Sequence, residues 1–217
     1  GIVWIRVLYC YPEEIYPELI ETIRDEKKIC HYLDLPIQHA SDKILKRMGR
    51  RTSKQQLIDM ISTLRREIPD IVLRATLITG FPGETQGDHE ELMEFVRTAR
   101  FDRMGAFAYS EEEGTYSAKH YKDEIPQEVK QQRLDALMEL QQEISADLSH
   151  RKIRQEFKVI IDRKEGDYYI GRTQFDSPEV DPEVLINVEN HRLRIGSFHR
   201  VKVYDADDFD LYATIVK

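Results

Sequence analysis

Cysteine is scarce in this sequence: 217 residues hold two, Cys10 and Cys30. They form neither a CxxC pair nor a disulfide framework, and ordinary half-buried thiols in a reduced, cytoplasmic protein are the expected state. The seven histidines show no HxH or HExxH pairing, so the common zinc spacings are excluded. No metal-ligand set is therefore expected within these residues. No apolar run approaches the length that spans a bilayer, and no membrane partner is expected. No basic leader or cleavage site is present; Gly1 leads straight into Ile2-Val3-Trp4-Ile5, which reads as a strand cut from something longer. Positive charge is also in deficit, with a formal net charge of -8. That balance disfavours nonspecific nucleic-acid binding, which relies on basic residues neutralising phosphates. It suits a basic partner instead. Internal repeats and low-complexity segments are absent.

What is present is a soluble-type composition, 41% hydrophobic and 33% charged. Ile2 to Leu8 reads as a strand rich in branched residues. Leu19, Ile20 and Ile23 mark a short helix before Asp25. His31 to Ile37 is a second apolar run. Ser41 is placed to cap a helix carrying Ile44, Leu45 and Met48, which Gly49 closes. Ser53 and Gln56 form a capping-box pair, and Leu57, Ile61, Leu64 and Ile68 follow at helical spacing. Ile71 to Ile78 is a buried-type strand, Gly80 to Thr85 a turn, Leu92 to Ala99 a helix face, and Met104 to Tyr109 a fourth strand. This alternation predicts a parallel sheet covered by helices, with ligands at the carboxyl ends of the strands. About four βα units are visible, fewer than the eight of a full barrel.

The pattern changes after Tyr109. Ser110 to Glu124 is polar and loop-like, and Pro126 suits the first turn of a long helix striped by Leu134, Leu137, Ile144 and Leu148. Five short strands follow, at Phe157 to Ile161, Tyr168 to Thr173, Val184 to Val188, Phe198 to Tyr204 and Leu211 to Val216. They predict a small OB-like barrel. The expected fold class is thus α/β plus all-β: a partial (β/α) barrel over 1–125, a linking helix over 126–153 and a five-stranded β-barrel over 154–217.

Two strand-to-helix junctions could carry chemistry. Thr79-Gly80-Phe81-Pro82-Gly83-Glu84-Thr85 sits where such a sheet places a ligand, with glycines that let backbone approach it and a proline that stiffens the turn. It lacks the Lys-Ser/Thr ending of a P-loop. By spacing alone it also suits a tight turn with no ligand. Gln38 and His39 occupy a second such junction, to hold a ligand or only to bond nearby backbone. Arg74 lies inside an apolar strand and needs an anionic partner, from the protein or from a ligand. Glu111-Glu112-Glu113 reads as a solvated loop. From Glu156 onward, 13 acidic residues face 9 basic ones. Tyr168, Tyr169, Phe175 and Phe198 supply stacking aromatics, but that balance argues against a phosphate-binding groove. The acidic stretches Phe175 to Asp181 and Asp205 to Asp208 match a basic protein better, or are simply polar loops.

The segments LDLPIQHASDKILKRMGRRTS, LRATLITGFPGET and AFAYSEEEGTYSA resemble successive parts of the radical S-adenosylmethionine methylthiotransferases. GRTQFDSPEVDPEVLI resembles the TRAM domain of the same family. Together they cover nearly the whole chain in the family's order. One branch of that family methylthiolates an adenosine in tRNA. The other methylthiolates the β-carbon of an aspartate in ribosomal small-subunit protein twelve. The Asp-Ser-Pro-Glu-Val-Asp string from Asp176 resembles the second branch, and the acidic barrel points the same way because ribosomal proteins are basic.

The resemblance implies two four-iron four-sulfur clusters and S-adenosylmethionine. One cluster would cleave S-adenosylmethionine to a 5′-deoxyadenosyl radical, which takes a substrate hydrogen before sulfur carried at the second cluster is inserted. By motif position it implies that Gln38 and Arg74 help hold S-adenosylmethionine, that Gly80, Gly83 and Glu84 line the same site, and that Phe107, Ala108 and Tyr109 lie near the adenine. For the protein substrate the candidates are Asp176, Glu179, Asp181, Asp205, Asp207 and Asp208. The family's cluster cysteines have no counterpart here and are expected upstream of Gly1, so the segment alone is expected not to cleave S-adenosylmethionine. A tRNA-modifying enzyme and a non-catalytic module that recruits a basic protein are the competing readings.

Overall fold

Alternation along the strands decides how the sheet is clothed. In β3 (Val72–Thr79), Leu73, Ala75 and Leu77 are fully buried, while Arg74, Thr76 and Ile78 between them are half-buried. Successive strand side chains point to opposite faces, so β3 has one apolar face and one mixed face. The computed structural model describes residues 1–188 and 192–216. It pairs β3 in parallel with β2 (Ile29–Gln38) on one side and β4 (Arg103–Ala108) on the other, and β1 (Ile5–Val7) completes the order β1-β2-β3-β4. Register brings Asp34, Arg74 and Arg103 into one row, and Ile78 beside Phe107 in another.

Helices cover the apolar face. These are α1 (Pro17–Asp25), α2 (Asp42–Arg47), α3 (Lys54–Glu67), α4 (Gln86–Ala99) and α6 (Gln127–His150), whose Ile20, Ile23, Leu45, Leu57, Leu64, Leu92, Phe95, Leu137 and Ile144 share one core with Leu33, Leu35, Leu73 and Leu77. Each fully buried aliphatic side chain of this kind stabilises by roughly 1.5–3 kcal/mol. The Ser53 capping box forms as expected, and a second one, Thr85 with Asp88, starts α4. Ser41 occupies the N-cap of α2, but its hydroxyl donates to Asp88 Oδ1 at 2.7 Å rather than capping that helix. Two expectations need correction. β1 is shorter than Ile2 to Leu8, because β2 begins only at Ile29 and offers nothing upstream for Ile2 to pair with. The polar stretch after Ser110 contains a short helix, α5 (Tyr116–His120), capped by Thr115.

Beyond α6 lies a closed barrel. β5 (Glu156–Glu165), β6 (Tyr168–Thr173), β7 (Val184–Asn187), β8 (Phe198–Ala206) and β9 (Leu211–Ile215) run in the order β5-β6-β7-β9-β8, with β7 and β9 parallel. Val159, Ile161, Val184, Ile186, Val201, Val203 and Ala213 fill its interior. Gly171 is required by close approach: a Cβ there would collide with the Ile160 carbonyl oxygen. Among the described residues no helix is long and apolar enough to cross a membrane.

Candidate functional site at the carboxyl ends of the strands

The mixed face of the sheet opens at the carboxyl ends of β2, β3 and β4 into a cleft of about 730 Å³. Gln38, Thr76, Ile78 and Phe107 form its floor, and Phe81 and Tyr109 form one wall. Gln38 ends β2 with φ of 74°, a left-handed conformation uncommon for a side chain-bearing residue. Arg50 pins it, donating through Nε to Gln38 Oε1 at 2.8 Å and through Nη2 to the Pro36 carbonyl at 2.7 Å. The Gln38 amide nitrogen has no partner among the described residues and lies at the cleft. Phe107 is 61% exposed although it belongs to a strand. Tyr109 meets Phe81 edge to face at 5.1 Å and shares a 2.8 Å hydrogen bond with the Ser117 hydroxyl. At the rim the Arg47 guanidinium lies 4.0 Å from the centre of the Tyr121 ring.

The Gly80–Glu84 turn braces this wall from behind. Glu84 is buried and accepts from Gly80 N at 2.6 Å, Phe81 N at 3.3 Å, the Thr79 hydroxyl at 3.3 Å and Arg133 Nη1 of α6 at 3.0 Å. His39 Nδ1 accepts from Ser41 N at 2.9 Å, which leaves Nε2 to carry the proton toward Glu84, 3.5 Å away. Burial works against the Glu84 charge. His39, Arg133 and the Gly80 N–H outweigh it and hold the carboxyl below its ordinary value. Gly80 has φ of 74°, and a Cβ on it would meet Lys130 Cγ of α6 at 2.5 Å, so backbone and helix touch directly here. Lys130 Nζ donates to the Tyr109 carbonyl at 3.2 Å and pairs with Asp123.

The candidates named from the sequence therefore divide. Gln38, Phe107, Ala108 and Tyr109 line the cleft. Gly80, Gly83 and Glu84 shape the turn behind it, and the buried Glu84 side chain reaches protein groups instead of open space. Arg74 lies lower on the same face, donating to Asp181 Oδ1 at 2.6 Å with Asp34 at 3.7 Å, so of the two kinds of anionic partner the sequence left open it meets the one from the protein. Asp181 also accepts from the Tyr32 hydroxyl at 2.7 Å. Asp176 departs from expectation. It is fully enclosed, accepting from Arg103 Nη2 at 2.9 Å and from the Thr173 hydroxyl at 2.6 Å. Burial opposes its charge, and Arg103 and Lys152 hold it below the ordinary carboxylate value. Asp176 and Asp181 thus clamp the barrel to the sheet, because a buried arginine must be met by a carboxylate. Glu179, Asp205 and Asp207 stay exposed and Asp208 half-exposed, bonded to Gln142 of α6 at 2.6 Å. Phe81 belongs to the Thr79–Thr85 junction named from the sequence, whereas Thr76, Ile78, Arg47 and Tyr121 were not singled out. The period of two that isolates Arg74 already puts Thr76 and Ile78 on its face.

Cys10 is half-buried and Cys30 buried, both free. Burial pushes each thiol up, Glu14 adding to the effect at Cys10, so both stay protonated. No group of three His, Cys, Asp or Glu among the described residues could hold a metal ion.

Comparison with known proteins adds independent findings. Residues 2–96 match the Radical SAM superfamily and residues 153–216 match the TRAM domain. The chain is 60% identical to the ribosomal protein uS12 methylthiotransferase RimO of Phocaeicola vulgatus, over 100% of this chain and 50% of that protein. It is also 60% identical to the protein of the same name from Bacteroides thetaiotaomicron, over 100% and 50%. The chain thus spans about half the length of the curated relatives it matches. The fold resembles the radical SAM enzyme coproporphyrinogen III oxidase (HemN) of Escherichia coli, with a TM-score of 0.56, 16% identity, and coverage of 68% of this chain and 34% of that one.

Proposed function

Because this chain belongs to the radical S-adenosylmethionine methylthiotransferases of the RimO type, we propose that it is the part of such an enzyme that holds S-adenosylmethionine and positions a basic ribosomal protein. The parent reaction is then methylthiolation of the β-carbon of an aspartate in uS12, carried out in the cytoplasm. The observation that carries this reading is the strand-end cleft, which lies within sequence shared along the full chain with relatives of that name.

The cleft fits the adenosyl group. Phe107, Phe81 and Tyr109 offer apolar ring surface to a purine, and the Gln38 amide and the Thr76 hydroxyl offer polar contacts to a ribose or carboxylate. The iron–sulfur clusters do not fit these residues. A cluster ligand is a thiolate, and the two cysteines here are separate, protonated thiols. In this family the bound cofactors supply radical hydrogen abstraction and sulfur insertion. The residues of this chain bind, orient and brace. Arg50 fixes Gln38, Glu84 and Lys130 fix the Phe81–Tyr109 wall, and the exposed carboxylates Glu179, Asp205 and Asp207, with the half-exposed Asp208, attract a basic substrate.

Equilibrium dialysis of S-adenosylmethionine against the chain tests the cleft. Saturable binding that Phe107→Ala weakens supports it, and binding indifferent to Phe107 and Gln38 would remove it. Fluorescence anisotropy against uS12 and against unmodified tRNA over a salt series tests the substrate. Saturable binding to tRNA alone would move the assignment to the tRNA-modifying branch. Production of 5′-deoxyadenosine above a blank by this chain after iron–sulfur reconstitution would overturn the division of labour.

A further inference from the structure

A crevice of about 430 Å³ lies between α6, the lower part of the sheet's mixed face and two loops of the barrel. Apolar side chains stand open along it. Val180 and Phe209, one from each barrel loop, are 59% and 44% exposed, and Met138 of α6 is half-buried opposite them. Its charges do not balance. Two arginines line it, and both are committed within the chain: Arg74 to Asp181 at 2.6 Å and Arg103 to Asp176 at 2.9 Å. Four carboxylates line it. Asp181 is taken by Arg74, and Glu183 by Arg163 at 2.6 and 2.8 Å. Glu179 and Asp210 form no ion pair among the described residues. Asp210 is half-buried and accepts only the Glu183 N–H, at 2.7 Å. Burial pushes its carboxyl up, the Glu183 N–H pulls against that, and the negative charges of Asp207 and Glu183 add more than Arg103 returns. Gln141 of α6 also lines the crevice and is 2% exposed. Its Nε2 donates to the Phe101 carbonyl at 2.9 Å and to the Ser145 hydroxyl at 3.0 Å, while its Oε1 has no partner among the described residues. A buried acceptor and a half-buried carboxylate without a counter-charge both gain from a positively charged donor.

We propose that this crevice receives a cationic side chain, a lysine or an arginine, of a basic protein, with its charged head at Asp210 and Glu179 and its aliphatic stem along Phe209, Val180 and Met138. Long basic side chains lay their methylenes on apolar surface while the charge stays at a polar rim, and the crevice offers both in one place. A phosphate would find neither lining arginine free. The proposal rests on the reading of the barrel as the seat of a basic substrate, and it adds the point at which one side chain of that substrate enters. Opposite charge at such a point sets register and selects the partner.

The test is fluorescence anisotropy at low salt with two labelled peptides, one of alternating lysine and serine and one with acetyl-lysine in each lysine place, and with uS12. The lysine peptide is expected to bind saturably and about tenfold more tightly than the acetylated one, which keeps the stem and loses the charge. Asp210→Asn, which keeps an acceptor for the Glu183 N–H, should weaken the lysine peptide about fivefold and leave the acetylated one unchanged. Glu179→Gln repeats the test at an exposed side chain, so a loss shared by both variants does not come from unfolding. Phe209→Ala should weaken both peptides, because it removes the wall for the stem. Glu94→Gln makes the same change of charge on α4, outside the crevice, and should alter binding by less than about twofold. Equal affinity for the two peptides, or losses in Asp210→Asn and Glu179→Gln no larger than in Glu94→Gln, would overturn the site even if uS12 binds. Absence of uS12 binding together with the expected peptide losses would remove uS12 as the substrate and uphold the crevice as the seat of a basic side chain.

Discussion

The mixed face of the parallel sheet has two halves that share strands but not environment. In the lower half, Tyr32, Asp34, Arg74 and Arg103 meet Asp176 and Asp181 of the barrel in a closed network. In the upper half, four residues further along β3 and roughly 13 Å away at the usual rise per residue, Ile78 and Phe107 face an open cleft. The lower half carries the charge that a sequence reader would reserve for a ligand, yet the chain satisfies it internally. In the upper half the strand residues Thr76, Ile78 and Phe107 carry no charge, Lys46 and Arg47 lining the cleft from outside the sheet, and it is the part left open. Charge inside a strand therefore marks the joint, and exposed aromatic surface marks the site.

Four substitutions test that contrast. Arg103→Met leaves Asp176 buried without its partner and is expected to destabilise by about 3–5 kcal/mol, read as a lower urea midpoint. An unchanged midpoint would mean that apolar contact alone seats the barrel. Glu84→Gln should cost about 2 kcal/mol by weakening charged hydrogen bonds in the brace behind the upper cleft. It should also flatten the acid limb of stability. Glu84 and Asp176 both titrate below their ordinary values when folded, so the stability they confer is complete at neutral pH. That stability declines as pH falls below about 4 and vanishes below the depressed values. A parent chain whose urea midpoint does not fall in acid would contradict this sign. Gly171→Ala should cost about 1–3 kcal/mol from overpacking inside the barrel. Phe107→Ala should change stability by no more than about 0.5 kcal/mol. It should nevertheless weaken S-adenosylmethionine binding about tenfold, or ~1.4 kcal/mol. A large loss of stability there would make Phe107 a core residue and erase the contrast.

Much of the architecture was legible because it rests on local rules. Alternation in β3, the Ser53–Gln56 pair, the left-handed glycine at Gly49 and the barrel strand at Tyr168–Thr173 each follow from short-range patterns that the structure keeps. The cleft was legible in part: Gln38 was marked by its place at a strand end, and Phe107 to Tyr109 only by the family resemblance. The roles of Arg74, Asp176 and Asp181 were not. Whether a carboxylate faces water or an arginine depends on a partner 73 or 107 residues away, and no local spacing encodes it. The helix α5 was missed for a related reason: five residues with Ala118 as their one small apolar side chain show no apolar period, and one Thr115 cap is a weak signal.

Helix α6 has a consequence of its own. Its 24 residues reach about 36 Å. Near its start, Lys130 and Arg133 hold the wall of the upper cleft. Farther along, Gln142 and Ser149 grip Asp208 and Phe209 of the barrel. Such a helix is a strut, and it works as a gauge: whatever the barrel grasps is offered to the cleft at a set spacing. Tilting the barrel would drag Lys130 across Gly80, where the contact leaves no slack for a methyl group. Reach in this molecule is thus fixed by a length of helix, and a one-residue insertion in α6 would rotate the grip by about 100° before it changed the distance much.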